Sequence, residues 1–340
     1  MARLQYNPCM TTRDSSPHVI VLGGGAAGFF AALACAQENP ACRVMILERT
    51  TQVLAKVKIS GGGRCNVTHA CFDPAQLVTF YPRGGRALRG PFSRFQPQDT
   101  IDWFESRGVA LKTEEDGRVF PTTDQSQTII DCLMKEATRL KITIRTQTMV
   151  ESVEKSTGGG FDLRLGQGDT LHADRVILAT GSNPQGWQWA AALGHTLEPP
   201  VPSLFTFTVK DPRLEGLSGV SVPQASVAIA GMKLSQSGAL LITHWGLSGP
   251  AVLKLSAWGA RALHDLNYQA RLLVNWLPDL RGDEVLERLR QLRTRQKLKK
   301  APGDYSFGLP RRLWVRLAAV SGVLANKRWS EISNESRIAD

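Results

Sequence analysis

The hexad Gly23-Gly-Gly-Ala-Ala-Gly28 lies between two short apolar runs. His18-Val-Ile-Val-Leu22 precedes it and suits a buried parallel strand. Ala26 to Gln37 reads as a helix rich in small residues, and Pro40 ends that pattern. Arg43-Val-Met-Ile-Leu-Glu48 is a second apolar run that closes on an acid. Strand, glycine turn, helix, strand and acid in this order point to an α/β dinucleotide-binding unit, the alternative being a glycine-rich turn in another α/β protein. Gly23 allows the tight turn, Gly25 has no side chain to hold off a pyrophosphate, and Gly28 lets helix and strand pack closely. The helix start offers free N–H donors and about half a positive charge to phosphates. Glu48 stands 20 residues after Gly28. There a carboxylate can accept from both ribose hydroxyls, and it disfavours a 2′-phosphate.

A second glycine cluster, Ser60-Gly-Gly-Gly-Arg-Cys-Asn-Val-Thr68, follows about a dozen residues after Glu48. Gly61, Gly62 and Gly63 let backbone come close to a flat ligand, or simply form a flexible surface loop. The residues alone leave both readings open. Arg64 adds a planar donor fork for phosphate or carboxylate, Asn66 can donate and accept, and Lys56 and Lys58 add positive charge upstream.

Taken together, Gly23 to Gly28, Glu48 and Ile59 to Thr68 resemble the BaiN-like, or aminoacetone-oxidase-like, FAD-dependent flavoproteins. Gly117-Arg-Val-Phe-Pro121, Val176-Ile-Leu-Ala-Thr-Gly181, Leu193-Gly-His195 and Thr243-His-Trp-Gly-Leu-Ser-Gly-Pro250 extend the resemblance over roughly residues 18–325. It implies a Rossmann-like FAD/NAD(P)-binding domain with a mixed β-barrel/helical insert domain, and an oxidoreductase that passes a hydride between flavin and a small organic substrate or nicotinamide. FAD is the implied cofactor, with NAD(P)H as candidate donor. By similarity, Gly23, Gly25 and Gly28 would hold the pyrophosphate and Glu48 the adenosine ribose, with Ala26, Ala27, Arg49 and Lys56 also in the cofactor site. Ser60, Gly61, Gly62, Gly63, Arg64, Cys65 and Asn66 would lie along the flavin half. Val150 would meet the adenine through its backbone, and Ala179, Thr180 and Gly181 would form a second close approach. A thiol needs a lowered pKa to be reactive, and Cys65 is read as non-redox. His244 is a candidate acid or base, or else only organises its turn before the helix start at Ser248-Gly-Pro250.

The 340 residues suggest two domains. Residues 1–17 read as a flexible tail, 18–198 as the cofactor domain, 199–328 as the substrate-side insert after Pro199, Pro200 and Pro202, and 329–340 as a polar tail. Helices are expected over Pro97–Arg107 and Asp124–Leu140, and strands over Thr143–Val153 and Gly160–Leu165. In the insert, strands are expected at Leu204–Val209, Val220–Val222, Ala225–Ala230 and 267–277. An amphipathic helix over Asp283–Leu298 would carry its stripe at Leu286, Leu289 and Leu292. The family's return segment, with its G-G-V, G-E-x-x-D and G-G-x-N elements, has no counterpart after Arg328. Its loss is expected to weaken FAD by on the order of a hundredfold, and a non-catalytic dinucleotide-binding remnant is therefore one alternative.

The net charge of +11 is concentrated between Arg281 and Arg328, where 13 Lys/Arg face four Asp/Glu. This reads as a solvated helix face, and no nucleic-acid partner is expected; a flavoprotein acting on RNA through residues 281–328 is the other alternative. The six cysteines include no C-x-x-C pair or zinc spacing, and the start lacks an apolar signal region. A cytoplasmic protein with a small-molecule substrate, no metal and no membrane partner is the expectation. Neither the substrate nor the oligomeric state is legible.

Overall fold

The computed structural model describes residues 16–301, 307–323 and 326–332. Two compact units divide between Glu198 and Pro199. The first opens with β1 (His18–Leu22), α1 (Ala26–Glu38) and β2 (Arg43–Leu47), which follow the expected strand–turn–helix–strand order. Then come α2 (Ala55–Ile59), a 3-10 turn over Ser60–Gly63, β3 (Thr68–His69), α3 (Pro74–Leu77), a 3-10 turn over Val78–Phe80, α4 (Gly85–Phe92) and α5 (Pro97–Glu105). Pro97 sits in the first turn of α5, and Gln96 and Asp99 form a reciprocal capping box there. After β4 (Leu111–Thr113) and β5 (Arg118–Pro121), α6 (Ser126–Arg139) leads to β6 (Thr143–Arg145). The unit closes with β7 (Val150–Lys155), β8 (Phe161–Leu165), β9 (Thr170–Ala173), β10 (Arg175–Leu178) and α7 (Pro184–Ala192).

The central sheet is parallel, ordered β10-β1-β2-β6. Side chains alternate across β1. Val19 and Val21 pack with Phe29, Leu33, Ile46, Phe104 and Leu133 on the helical face. Ile20, Leu22 and Leu47 pack with Val150, Val153, Leu163 and Leu165 on the other. That second cover is the antiparallel sheet β7-β8-β9. Burial on both faces explains why β1 and β2 read as unbroken apolar runs.

The single strand expected over Thr143–Val153 is two strands in different sheets. Gln147 breaks it with φ +52, and Thr146–Met149 are polar enough, Met149 apart, to leave the core. Gln147 N–H donates to Thr50 O and Thr148 N–H to Glu48 O, so the break is tied to the end of β2.

The second unit contains β11 (Phe207–Thr208), β12 (Ser221–Ile229), β13 (Ser235–Ile242), β14 (Gly246–Ser248), α8 (Pro250–Trp258), α9 (Ala260–Asp265), β15 (Leu272–Asn275), α10 (Gly282–Arg295) and α11 (Arg311–Val320). Its antiparallel sheet is ordered β11-β14-β13-β12-β15. Val222, Val227, Leu240, Ile242, Val252 and Leu255 lie in its core. The runs at Val220–Val222 and Ala225–Ala230 belong to one strand. Pro223 lies at a register shift between Val222 and Ala225, where a residue without an N–H is tolerated. The strand expected at Leu204–Val209 keeps only two residues, because Leu204 is exposed with φ +59.

α10 buries no residue. Its half-buried stripe is Val285, Leu289 and Leu292, so two of the three expected positions hold, while Leu286 is exposed and Val285 takes its place. Trp329, expected in a polar tail, is buried in a 3-10 turn, with its N–H donating to Lys299 O. The expected tails at 1–15 and 333–340 lie outside the described residues. Pro17, expected in the first tail, accepts from Arg43 N–H. No helix among the described residues is long and apolar enough to cross a membrane.

Candidate functional site

A cleft of about 1170 Å³ runs along the C-terminal ends of β1, β2 and β10 in the first unit. Ligands of doubly wound sheets bind at this edge. Three hydrogen bonds assemble it, from Gly23 N–H to Leu47 O, Ala179 N–H to Leu22 O and Glu48 N–H to Arg145 O. A Cβ on Gly23 would stand 2.4 Å from Ala179 O, and one on Gly28 would stand 1.9 Å from Gly23 O. A Cβ on Gly25 would meet nothing within 4 Å, so its backbone faces open space at the start of α1. Gly25 caps that helix without a side-chain hydrogen bond, leaving the first N–H groups for a ligand.

Glu48 closes one end. Its Oε2 accepts from Gly24 N–H at 2.9 Å, and its Oε1 accepts from the Thr50 N–H and hydroxyl, both at 2.8 Å. Burial alone would raise this carboxyl, but the bonds from Thr50 and Gly24, with Arg49 nearby, hold it below the usual range. The remaining acceptor capacity is mainly on Oε2, which narrows the sequence expectation from two ligand hydroxyls to one.

A second helix start faces the same space. Asn183 Oδ1 accepts from Gln185 N–H, Pro184 occupies the first turn of α7, and residues 182–185 line the cleft. Two helix N-termini thus meet one cavity, and both favour an anionic group. A Cβ on Gly186 would lie 1.9 Å from Thr180 Oγ1, so α7 packs directly on the Ala179–Gly181 turn. Lys56 Nζ donates to Ser182 Oγ at 3.2 Å, reaching from α2 to that turn.

Of the residues singled out from sequence, Gly23, Gly25, Ala26, Ala27, Glu48, Arg49, Lys56, Ser60, Cys65, Asn66, Val150, Ala179, Thr180 and Gly181 line the cleft. Gly28 acts behind it, as a packing glycine. Gly61, Gly62 and Gly63 are exposed and lie outside the lining, with φ of +57, +71 and +86. Arg64 is also outside. Its fork is occupied by Glu114 at 2.6 Å and Asp124 at 3.4 Å, and its guanidinium lies 3.9 Å from the Phe120 ring centre. The hydrogen bond from Arg64 holds the Glu114 carboxyl below its usual range. The donor fork that sequence assigned to a ligand is therefore used to fasten the glycine loop. Cys65 is buried with φ +62, and burial pushes its thiol up, against a reactive role.

His244 belongs to the second unit, exposed in the turn between β13 and β14, its ring edge-on to Trp245 at 4.3 Å. Thr243 organises that turn, its N–H donating to Gly246 O and its hydroxyl accepting from Gly246 N–H.

Sequence reading missed Thr50, Thr148, Ser182, Asn183, Gln185 and Trp189 on the lining, together with the apolar Phe30, Phe104, Ile129 and Leu133. The Ser-Asn-Pro string at 182–184 carried a helix-start signal that could have found α7. The apolar residues read only as core.

The family described as HI0933-like protein Rossmann domain matches residues 17–323. The chain belongs to this family. The resemblance to BaiN-like flavoproteins and the Rossmann-type fold both stand with it. Among curated proteins, the chain is 29% identical over 327 residues to the 3-dehydro-bile acid delta(4,6)-reductase of Clostridium scindens, covering 92% of this chain and 77% of that one. It is 31% identical over 309 residues to the ribosomal RNA dihydrouridine synthase of Escherichia coli, covering 88% and 72%. Among solved structures, the 3-ketosteroid-delta4-(5alpha)-dehydrogenase of Rhodococcus jostii RHA1 aligns at a TM-score of 0.39 and 15% identity, over 65% of this chain and 58% of that one.

Proposed function

We propose that this HI0933-like protein is an FAD-dependent oxidoreductase acting on a small organic substrate or a nicotinamide. The observation that carries the reading is the convergence of the α1 and α7 N-termini on one cleft, with Glu48 at its end and an open cradle at Gly25. These residues fit an adenine dinucleotide. The N–H groups after Gly25 receive the pyrophosphate, Glu48 Oε2 accepts one ribose hydroxyl, and the Val150 backbone faces the adenine. Lys56, Ser60, Cys65 and Asn66 line the part assigned to the flavin. FAD, when bound, supplies the two-electron chemistry, and the chain supplies binding, orientation and electrostatics. The flavin absorbance of the purified chain, followed by titration with FAD and then NADH, tests this. Stoichiometric FAD and NADH-dependent bleaching are expected. A chain that stays colourless through the FAD titration overturns the proposal.

A second reading keeps the cofactor and changes the acceptor to an RNA base. It is supported by two curated relatives named ribosomal RNA dihydrouridine synthase, from Escherichia coli and Haemophilus influenzae. Reduction of uridine in RNA by the FAD-loaded protein, with no turnover of small enones, would favour it over the first.

A further inference from the structure

Residues 74–98 form an acid-free stretch outside the cleft lining, with four arginines and the aromatics Phe80, Tyr81, Phe92 and Phe95. α3, the 3-10 turn and α4 pack on one another, and the Arg94 and Phe95 N–H groups donate to Pro91 O in α4, so Pro74–Phe95 is one local patch of the first unit. Its rings are not core. Phe80 is 57% exposed, Phe95 46% and Tyr81 41%. Phe80 lies 5.7 Å from His69, and Tyr81 lies 5.5 Å from Phe92, which holds these rings in place while leaving surface on each.

The charges are equally uncommitted. Among the described residues no carboxylate pairs with Arg86, Arg89 or Arg94, and all three are exposed. Arg83 makes contacts of its own and is left out of the count. Arg86 and Arg89 are three apart on α4, so two like charges share one face of a short helix. Among the described residues no carboxylate offsets that arrangement, whereas a row of phosphates would stabilise it. Exposed rings alternating with unpaired guanidinium groups are the surface pattern that stacks bases and tracks a phosphate backbone.

α10, the basic helix that stood out in the sequence, differs chiefly in its rings: it carries no aromatic residue. Arg281 and Arg290 pair with Asp283, Glu284 and Glu287, whereas among the described residues no carboxylate pairs with Arg288 or Arg295. A bilayer is a poorer match for the patch than RNA. Leu88 and Phe92, which would insert, are already half-buried against the protein, and α4 is only eight residues long.

We propose that the Phe80–Phe95 patch is a docking surface for single-stranded RNA, with Arg86, Arg89 and Arg94 on phosphates and Phe80 and Phe95 stacking on bases. This rests on the second reading above, with RNA as acceptor, and names the surface that would hold it.

The test is fluorescence anisotropy of a labelled single-stranded oligouridylate with the full chain, across a salt series. Wild type should bind with a steep salt dependence. R86Q/R89Q/R94Q should lower the slope of log K against log salt by about 2. F80A and F95A should each weaken binding by about 5- to 100-fold, and every variant should keep its FAD titration. Loss of binding in an R288Q/R295Q variant of α10, with R86Q/R89Q/R94Q unaffected, would overturn this surface and leave the RNA reading standing. Absence of oligouridylate binding by wild type at low salt would overturn both, as would capture by phosphatidylserine vesicles alone. A failed FAD titration is a separate result, which strikes the oxidoreductase reading.

Discussion

At Gly28 an added Cβ would stand 1.9 Å from a backbone oxygen, whereas at Gly62 and Gly63 it would meet nothing within 4 Å. The two glycine clusters look alike on paper, but they answer to different constraints. In the first, Gly23 and Gly28 are fixed by close approach of β1, α1 and the Ala179 turn, and Gly25 by an opening onto the cleft. In the second, Gly62 and Gly63 are fixed only by left-handed backbone, and Gly61 by both effects, its Cβ falling 2.7 Å from Asn66 N and 2.9 Å from the Phe120 ring. The first cluster forms the cleft wall. The second is a tight turn whose far end delivers Cys65 and Asn66 to that wall.

Gly28→Ala breaks this comparison hardest. Neither the helix nor the strand can move without disturbing the parallel sheet, so a loss of about 3 kcal/mol or more is expected in urea unfolding. Gly61→Ala should follow at about 2 kcal/mol, since an exposed turn can shift toward solvent where a buried helix–strand contact cannot. Gly25→Ala separates binding from folding. Its unfolding midpoint should match wild type while FAD affinity falls tenfold or more, about 1.4 kcal/mol. Equal affinity in that variant would remove Gly25 from the cofactor cradle. Gly62→Ala should cost about 1 kcal/mol, the left-handed penalty alone, and leave FAD affinity unchanged.

The smallest effect is electrostatic. The folded Glu48 carboxyl is held below its usual range, so its stabilising contribution is present above the ordinary glutamate pKa. It is lost as pH falls through the folded value. The stability gap between wild type and Glu48→Gln should be widest near neutrality and close under acid conditions. A gap that widens on acidification would show that burial, rather than the Thr50 and Gly24 hydrogen bonds, controls this group.

The order β1, α1, β2 and Glu48 was legible because each element is set by a few neighbouring residues. An apolar run, a glycine spacing and a strand-end acid need no distant partner to be recognised. The Ala-Thr-Gly turn at 179–181 was reached only through the family resemblance, since its residues alone read as a buried strand. Local pattern could not show that Thr143–Val153 splits between two sheets, because the break depends on Gln147 and Thr148 pairing with Thr50 and Glu48, nearly a hundred residues earlier. Nor could it show what Arg64 does. A guanidinium binds carboxylate and phosphate with the same geometry, and only the fold brings Glu114 and Asp124 to it before any ligand arrives. The sequence by itself determined a dinucleotide fold and one wall of its cleft. The tertiary structure decided which donors remain free to bind, because a donor's availability is settled by the partners that folding places beside it.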